Sequence, residues 1–287
     1  MAAILPSRFA AGPTPILAAN DRFGEVTVGG IKTARVGRGS LAQQMLADCL
    51  EARTSEASPK LVFASNGHVI AMAAQDKNFR NTFCQADIIH ADGQAVVFAS
   101  LLTGSPIPER SATTDFIYDA AALAVQHGLR FYLLGATEEA NAKAAEILIR
   151  RYPGLLIVGR RHGYFSQVEE DEICDEINLT KPDVIWVGLS APLEYEFAVR
   201  NKRQLKAGWL VTCGGCFNFV TGAYKRAPSW MQQAGLEWLF RLAREPKRLF
   251  WRYAVTNPLA IFLLLTRTNK APAISYAPLR AEVRAAA

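Results

Sequence analysis

Short runs that are apolar almost throughout punctuate the chain: Lys60–Ala64, Asp87–Ala91, Leu129–Leu134, Leu155–Val158, Asp183–Val187 and Trp209–Thr212. Between them lie longer stretches whose apolar residues recur at helical spacing: Ser40–Arg53, His68–Gln75, Lys77–Ala86, Gly93–Leu102, Thr114–His127, Glu138–Tyr152, Glu169–Asn178 and Leu193–Lys206. A brief continuous apolar run fits a strand covered on both faces, and a three-to-four spacing fits a helix with one buried side. Their alternation predicts an α/β fold, a mainly parallel sheet with helices on both faces. Ahead of it, Glu25–Val28 and Ile31–Val36 flank Gly29-Gly30 as the arms of a small N-terminal hairpin do. Ser40 is the expected cap of the first long helix.

After Gly222 the pattern changes. Trp230, Trp238, Phe240, Phe250, Trp251 and Tyr253 are interleaved with basic residues, and Pro246 and Pro258 are expected to divide the segment into short helices. The predicted organisation is therefore a partly mobile lead (1–24), an α/β domain (25–225), a basic, aromatic helical appendage (226–270) and a mobile tail (271–287).

Composition sharpens this picture at one point. The 287 residues are 50% hydrophobic and 20% charged, which excludes wholesale disorder. Between Arg241 and Lys270 stand Arg241, Arg244, Lys247, Arg248, Arg252, Arg267 and Lys270 against one acid, Glu245, so this stretch carries the whole formal net charge of +6. Any anionic partner belongs there. Aromatic and leucine residues beside that charge fit an element lying in a lipid headgroup layer; packing on the main domain competes, and nucleic acid ranks last. The 5 cysteines read as reduced thiols rather than a disulfide framework. Met1–Asn20 has no basic start and is broken by prolines, so a signal peptide is not expected. No uninterrupted apolar run reaches the ~20 residues of a bilayer span.

Ligands of open parallel sheets bind beyond the carboxyl ends of the strands. Those ends carry Ser65-Asn66-Gly67, Asp92-Gly93, Gly135-Ala136-Thr137, Gly188-Leu189-Ser190 and Cys213-Gly214-Gly215. Any one of them reads as ordinary turn chemistry; five on one edge favour a nucleotide or sugar-phosphate crevice. Asp92, directly after a strand, is the candidate base, with an N-cap as its competing role. Arg110 could hold an anion or simply sit solvated in its loop. The sequence has no Walker A motif, no GxGxxG after the first strand, no GxSxG elbow and no HExxH. An Asp-x-Asp pair for holding a metal against a diphosphate is also missing, so arginines and backbone N–H groups would have to meet a diphosphate's charge.

The ordered landmarks Ala91-Asp92-Gly93, Pro108-Glu109-Arg110, Leu134-Gly135, Gly163-Tyr164-Phe165, Val187-Gly188-Leu189 and Gly214-Gly215-x-Phe217 resemble the WecG/TagA/CpsF glycosyltransferases of bacterial surface-polysaccharide synthesis. Arg226-Ala227-Pro228-x-Trp230, Gly235-Leu236-Glu237-Trp238-Leu239 and Glu245-Pro246-x-Arg248-Leu249 continue the match, which runs from about Val26 to Arg252. The resemblance implies a Rossmann-like domain and an inverting, metal-independent transferase with no cofactor. Its partners would be a UDP-sugar donor, a polyprenyl-diphosphate-linked saccharide acceptor and an anionic membrane surface, with the protein peripheral on the cytoplasmic face. Asp92 matches the catalytic base. Ser65, Asn66, Arg110, Gly135, Gly188, Glu194, Gly215 and Asn218 fall at the implied crevice, and Arg241, Arg248 and Arg252 in the appendage that closes over the diphosphate. Ala64 stands where the family usually has Thr, with Ser65 expected to supply the hydroxyl. Glu194 replaces an amide, and Asn218 a common Asp. The resemblance thus leaves the sugar open, a hexose included. A soluble nucleotide-sugar enzyme and a non-catalytic sugar-nucleotide binder are the alternatives.

Overall fold

The computed structural model describes residues 23–55 and 58–269; most of the expected lead and the tail at 271–287 lie outside the described residues. β1 (Glu25–Val28) and β2 (Ile31–Ala34) form the antiparallel hairpin. There follow α1 (Arg38–Ala52), β3 (Lys60–Ser65), α2 (Gly67–Gln75), α3 (Lys77–Phe83), β4 (Ile88–Ala91), α4 (Gln94–Ser100) and α5 (Thr113–His127). Next come β5 (Arg130–Gly135), α6 (Glu138–Arg151), β6 (Leu156–Arg161), α7 (Glu170–Leu179), β7 (Val184–Gly188), α8 (Leu193–Asn201) and β8 (Trp209–Thr212). The last four helices among the described residues are α9 (Cys216–Val220), α10 (Ser229–Gln233), α11 (Glu237–Arg244) and α12 (Pro246–Thr266).

The six strands from β3 onward form one sheet in the order β4-β3-β8-β7-β5-β6, and every pairing in it is parallel. β8, the last strand among the described residues, lies in the middle, with Lys60 opposite Trp209 on one side and Val184 opposite Trp209 on the other. The period of two along each strand divides the core. Leu61, Phe63, Tyr132, Leu134, Ile185, Val187 and Leu210 pack on one face under α2, α3, α7, α8 and the end of α12. Val62, Phe131, Leu133, Val184, Trp186, Trp209 and Val211 pack on the other under α1, α5, α6 and α9. Burying both faces is what demands continuous apolar runs, and each large side chain so covered contributes ~1.5–3 kcal/mol.

Two local expectations are corrected. α1 starts at Arg38, so Ser40 lies inside its first turn. The cap comes from far away: Glu109 Oε1 accepts from the Arg38 N–H at 2.7 Å. The break expected at Pro258 does not occur, and α12 runs on to Thr266. An interior proline sacrifices one backbone bond, roughly 3 kcal/mol. Here that loss is opposed by a buried seam of Leu249, Tyr253, Thr256, Ala260, Leu263 and Leu264, whose last members join the domain core. The opposite side of α12 exposes Phe250, Trp251, Val255, Ile261, Phe262 and Leu265. By length and composition α12 could cross a membrane, but a third of its most apolar stretch is buried against the protein.

Candidate active site

A cavity of about 1100 Å³ opens along the carboxyl edge of the sheet, walled on its far side by α11 and α12. The ends of β3, β4, β7 and β8 form its floor through Ala64, Asn66, Asp92, Gly188, Thr212 and Gly214. It is the crevice that the sheet topology predicts.

Asp92 leaves β4 and turns into this cavity. Its Oδ2 accepts from Asn66 Nδ2 at 3.2 Å and its Oδ1 from the Thr113 N–H at 3.0 Å. Asp92 does not cap its own helix: Gly93 occupies that position in α4 without a side-chain bond. It caps α5 instead, because Thr113 is that helix's first residue. The two donors fix the carboxylate and leave lone pairs for a substrate proton. Asn66 serves twice, as N-cap of α2 through Val69 N–H (3.2 Å) and as partner of Asp92.

Arg110 Nε donates to the Asp92 carbonyl at 2.5 Å, and its guanidinium pairs with Glu237 of α11 at 2.8 Å. One arginine thus ties the Asp92 loop to the appendage. Glu237 is shared with Arg226, which also reaches Asp115 at 2.9 Å and Gln232 at 2.6 Å. Arg241, Arg248 and Arg252 line the cavity as expected. Arg248 is paired with Glu245 at 2.5 Å, whereas Arg241 and Arg252 have no carboxylate partner among the described residues. Arg241 lies over the Phe219 ring at 5.6 Å and Arg252 over Tyr253 at 5.0 Å.

Glu194, at the start of α8, is only 4% exposed, and its Oε2 accepts from the Gly214 N–H at 2.8 Å. Burial pushes its carboxyl up to about 8; N–H groups of Gly214 and Ser190 and the Tyr195 hydroxyl pull it down, and the charge of Asp92 adds to the rise. Near neutrality it is mostly a proton-bearing acid.

Gly188, Gly215 and Asn218 also line the cavity, as expected. Two expected residues do not. Ser65 is wholly buried, its hydroxyl unpartnered and outside the lining; its carbonyl instead accepts the N–H groups of Asp92 and Gly93. On alternating strand positions Ala64 takes the lining place. The buried, unpartnered hydroxyls that reach the cavity are those of Thr113 and Thr212. Gly135 lies just beneath the lining, with φ +132°, and a Cβ there would stand 2.3 Å from the Gly188 carbonyl oxygen. It permits the close approach of two loops and touches no ligand space.

Sequence reasoning singled out neither His68 nor Thr113, Thr212, Tyr224 or Tyr253, all of which line the cavity. The one sequence signal for His68 is its place two residues after Asn66, in the first turn after a strand.

Comparison with known proteins fits this geometry. The model of the glycosyl transferase WecG/TagA/CpsF family matches residues 27–273. An N-acetylglucosaminyldiphosphoundecaprenol N-acetyl-beta-D-mannosaminyltransferase of Bacillus spizizenii is 30% identical over 197 residues, 69% of this chain and 75% of the relative. The enzyme of the same name from Staphylococcus aureus strain MRSA252 is 29% identical over 188 residues, 66% of this chain and 73% of the relative.

Proposed function

The chain belongs to the WecG/TagA/CpsF family of glycosyltransferases, and from that premise we propose that it moves a hexosyl or N-acetylhexosaminyl group from a UDP-sugar to a polyprenyl-diphosphate-linked saccharide. The observation that carries this reading is the pairing of one anchored carboxylate, Asp92, with an arginine wall on α11 and α12 across one cavity.

In the reaction we infer, Asp92 takes the proton of an acceptor hydroxyl, whose oxygen attacks the anomeric carbon from the side opposite the diphosphate. The bond from that carbon to the β-phosphate oxygen breaks, and its electron pair leaves with UDP. Configuration inverts in this single displacement. General-base assistance of this kind supplies ~10²–10⁴-fold. The negative charge that grows on UDP is met by Arg241, Arg252 and Arg248, cations already in place before the reaction. Their number supports a reaction without a divalent metal. The Asn66, Arg110, Gly188, Gly215, Glu194 and Asn218 positions would hold the donor and the acceptor sugar.

The exposed aromatic and aliphatic face of α12 beside the basic residues of 241–252 supports a peripheral site on the cytoplasmic face of the membrane. There the cavity would meet an acceptor whose lipid stays in the bilayer. The test is transfer by the purified full chain from labelled UDP-hexoses and UDP-N-acetylhexosamines to an N-acetylglucosaminyl-diphospho lipid. One UDP released per glycosylated lipid is expected; release or transfer that ignores the lipid acceptor would overturn the reading.

A further inference from the structure

His68 stands in the first turn of α2 and lines the cavity beside the appendage. Its Nδ1 is buried with no hydrogen-bond partner, and the Nε of Arg252, also a lining residue, is in the same condition. A buried polar atom left unpaired costs ~1–3 kcal/mol, and two of them at one wall mark a place where a partner is missing. The charged groups acting on His68 are Arg252 of α12 and Arg241 of α11, both cations. Carboxylates on the surrounding elements are engaged elsewhere: Asp92 with Asn66 and Thr113, Glu237 with Arg110 and Arg226, Glu245 with Arg248. The missing partner is therefore an anion with several acceptor oxygens. Resting on the donor reading above, we propose that His68 is a ligand of the sugar nucleotide's diphosphate and takes up a proton from water as that diphosphate binds.

The physical reason is a reversal of field. In the free protein, burial first and the two arginines second push the imidazole down to about 4, so the ring is neutral near pH 7. A diphosphate carries two negative charges into the space between ring and arginines. Opposite charge within hydrogen-bond reach favours the imidazolium, and a protonated ring donates a charge-assisted bond. When UDP departs, the field returns and the proton goes back to water. His68 then helps to hold the donor without leaving a third fixed positive charge in the empty cavity.

The consequence is linkage: donor binding should strengthen as pH falls towards 5.5, and protons should be consumed. UDP-glucose and UDP-N-acetylglucosamine are the probes, because both phosphates are diesters and do not titrate near neutrality. Calorimetric titration of the full chain, in pairs of buffers with different ionisation enthalpies, reads the protons directly. We expect net uptake of roughly half a proton at pH 6, and affinity higher by about fourfold at pH 5.5 than at pH 8. His68→Gln should abolish both effects. Because that variant could fail to fold, nitrogen NMR of imidazole-labelled native protein gives a second readout: one ring should move towards the imidazolium position on donor binding. Donor binding without proton uptake, or uptake unchanged in a folded His68→Gln protein, overturns the assignment and leaves the donor reading intact. Failure of every UDP-sugar to bind overturns the donor reading and the assignment together.

Discussion

Replacing Glu194 by Gln tests whether the floor of the cavity holds a protonated acid. The side chain is 4% exposed, so solvent does little to screen it, and the carboxyl is pushed up to about 8 against an ordinary 4.5, chiefly by burial. The sign follows from proton counting. Between those two values the unfolded chain has released the Glu194 proton while the folded protein retains it, so stability falls as pH rises through the window. Below about 4.5 the penalty is absent, and above about 8 it is complete. At ~1.4 kcal/mol per unit, the full shift amounts to about 4–5 kcal/mol, of which most accrues between pH 5 and 8. Gln cannot ionise and carries no such slope. His90 and His68, both pushed down mainly by burial, add an opposite slope below pH 6.5, but it is common to both proteins and cancels in their difference. Tyr195, whose hydroxyl burial holds well above its ordinary value, does not titrate between pH 5 and 8 in either protein. The assay is urea unfolding of the native protein and Glu194→Gln at half-unit steps from pH 5 to 8. Relative to native, the variant should gain roughly 3–4 kcal/mol across that range, even if it starts below native for want of an acceptor for its amide. A difference that stays constant within about 0.5 kcal/mol from pH 5 to 8 would refute the reasoning, for it would mean that Glu194 carries its charge in the fold at no cost.

Asp92→Asn should reduce transfer by roughly 10²–10⁴-fold while UDP binding persists, and near-native transfer by a folded variant would leave Asp92 only its role as cap of α5. Transfer should continue in EDTA; loss that Mn²⁺ or Mg²⁺ restores would contradict the assignment of diphosphate charge to Arg241, Arg248 and Arg252. Trp251→Ser combined with Phe262→Ser should weaken binding to anionic vesicles about tenfold and spare transfer to a short-chain soluble acceptor; unchanged sedimentation with vesicles would remove the exposed face of α12 from membrane contact. Gly135→Ala should destabilise the fold by at least ~2 kcal/mol, read from denaturant midpoints, because the new Cβ meets the Gly188 carbonyl oxygen and the backbone stays at φ +132°. A midpoint shift under about 0.5 kcal/mol would show that the two loops can part freely.

The strands were readable because a sheet buried on both faces leaves no room for polar positions: Val184–Gly188 and Trp209–Thr212 are buried at every residue. The edge that holds the site was readable for the same reason, since polar and glycine residues mark where each run stops. Asp92 and the appendage arginines followed from that edge and from the charge concentrated after Arg241. What escaped depends on partners distant in sequence. Ser40 has the chemistry of a cap, but Glu109 takes the first turn of α1 across a gap of 71 positions. Pro258 breaks helices in isolation, yet the seam from Leu249 to Leu264 carries α12 through it. The orientation of Ser65 against Ala64 turns on one step of strand register, which composition does not encode. His68 becomes informative only once Arg241 and Arg252, far along the chain, are known to stand beside it.

The central place of β8 governs how the chain can be made. A ribosome that has finished α8 has released β3 with β4, and β5 with β6 and β7, but these are two separate half-sheets, each with an open edge facing the gap. The strand that joins them is synthesised last, and position 60 must wait for position 209 before its ladder is complete. Contacts of such long range are slow to form, and open parallel edges are prone to pair with the wrong chain in the interval. Until β8 is made, both half-sheets keep edges with unpaired backbone groups that a strand of another chain can fill. A messenger cut anywhere before the codon for Trp209 would yield an aggregating fragment rather than a smaller folded one.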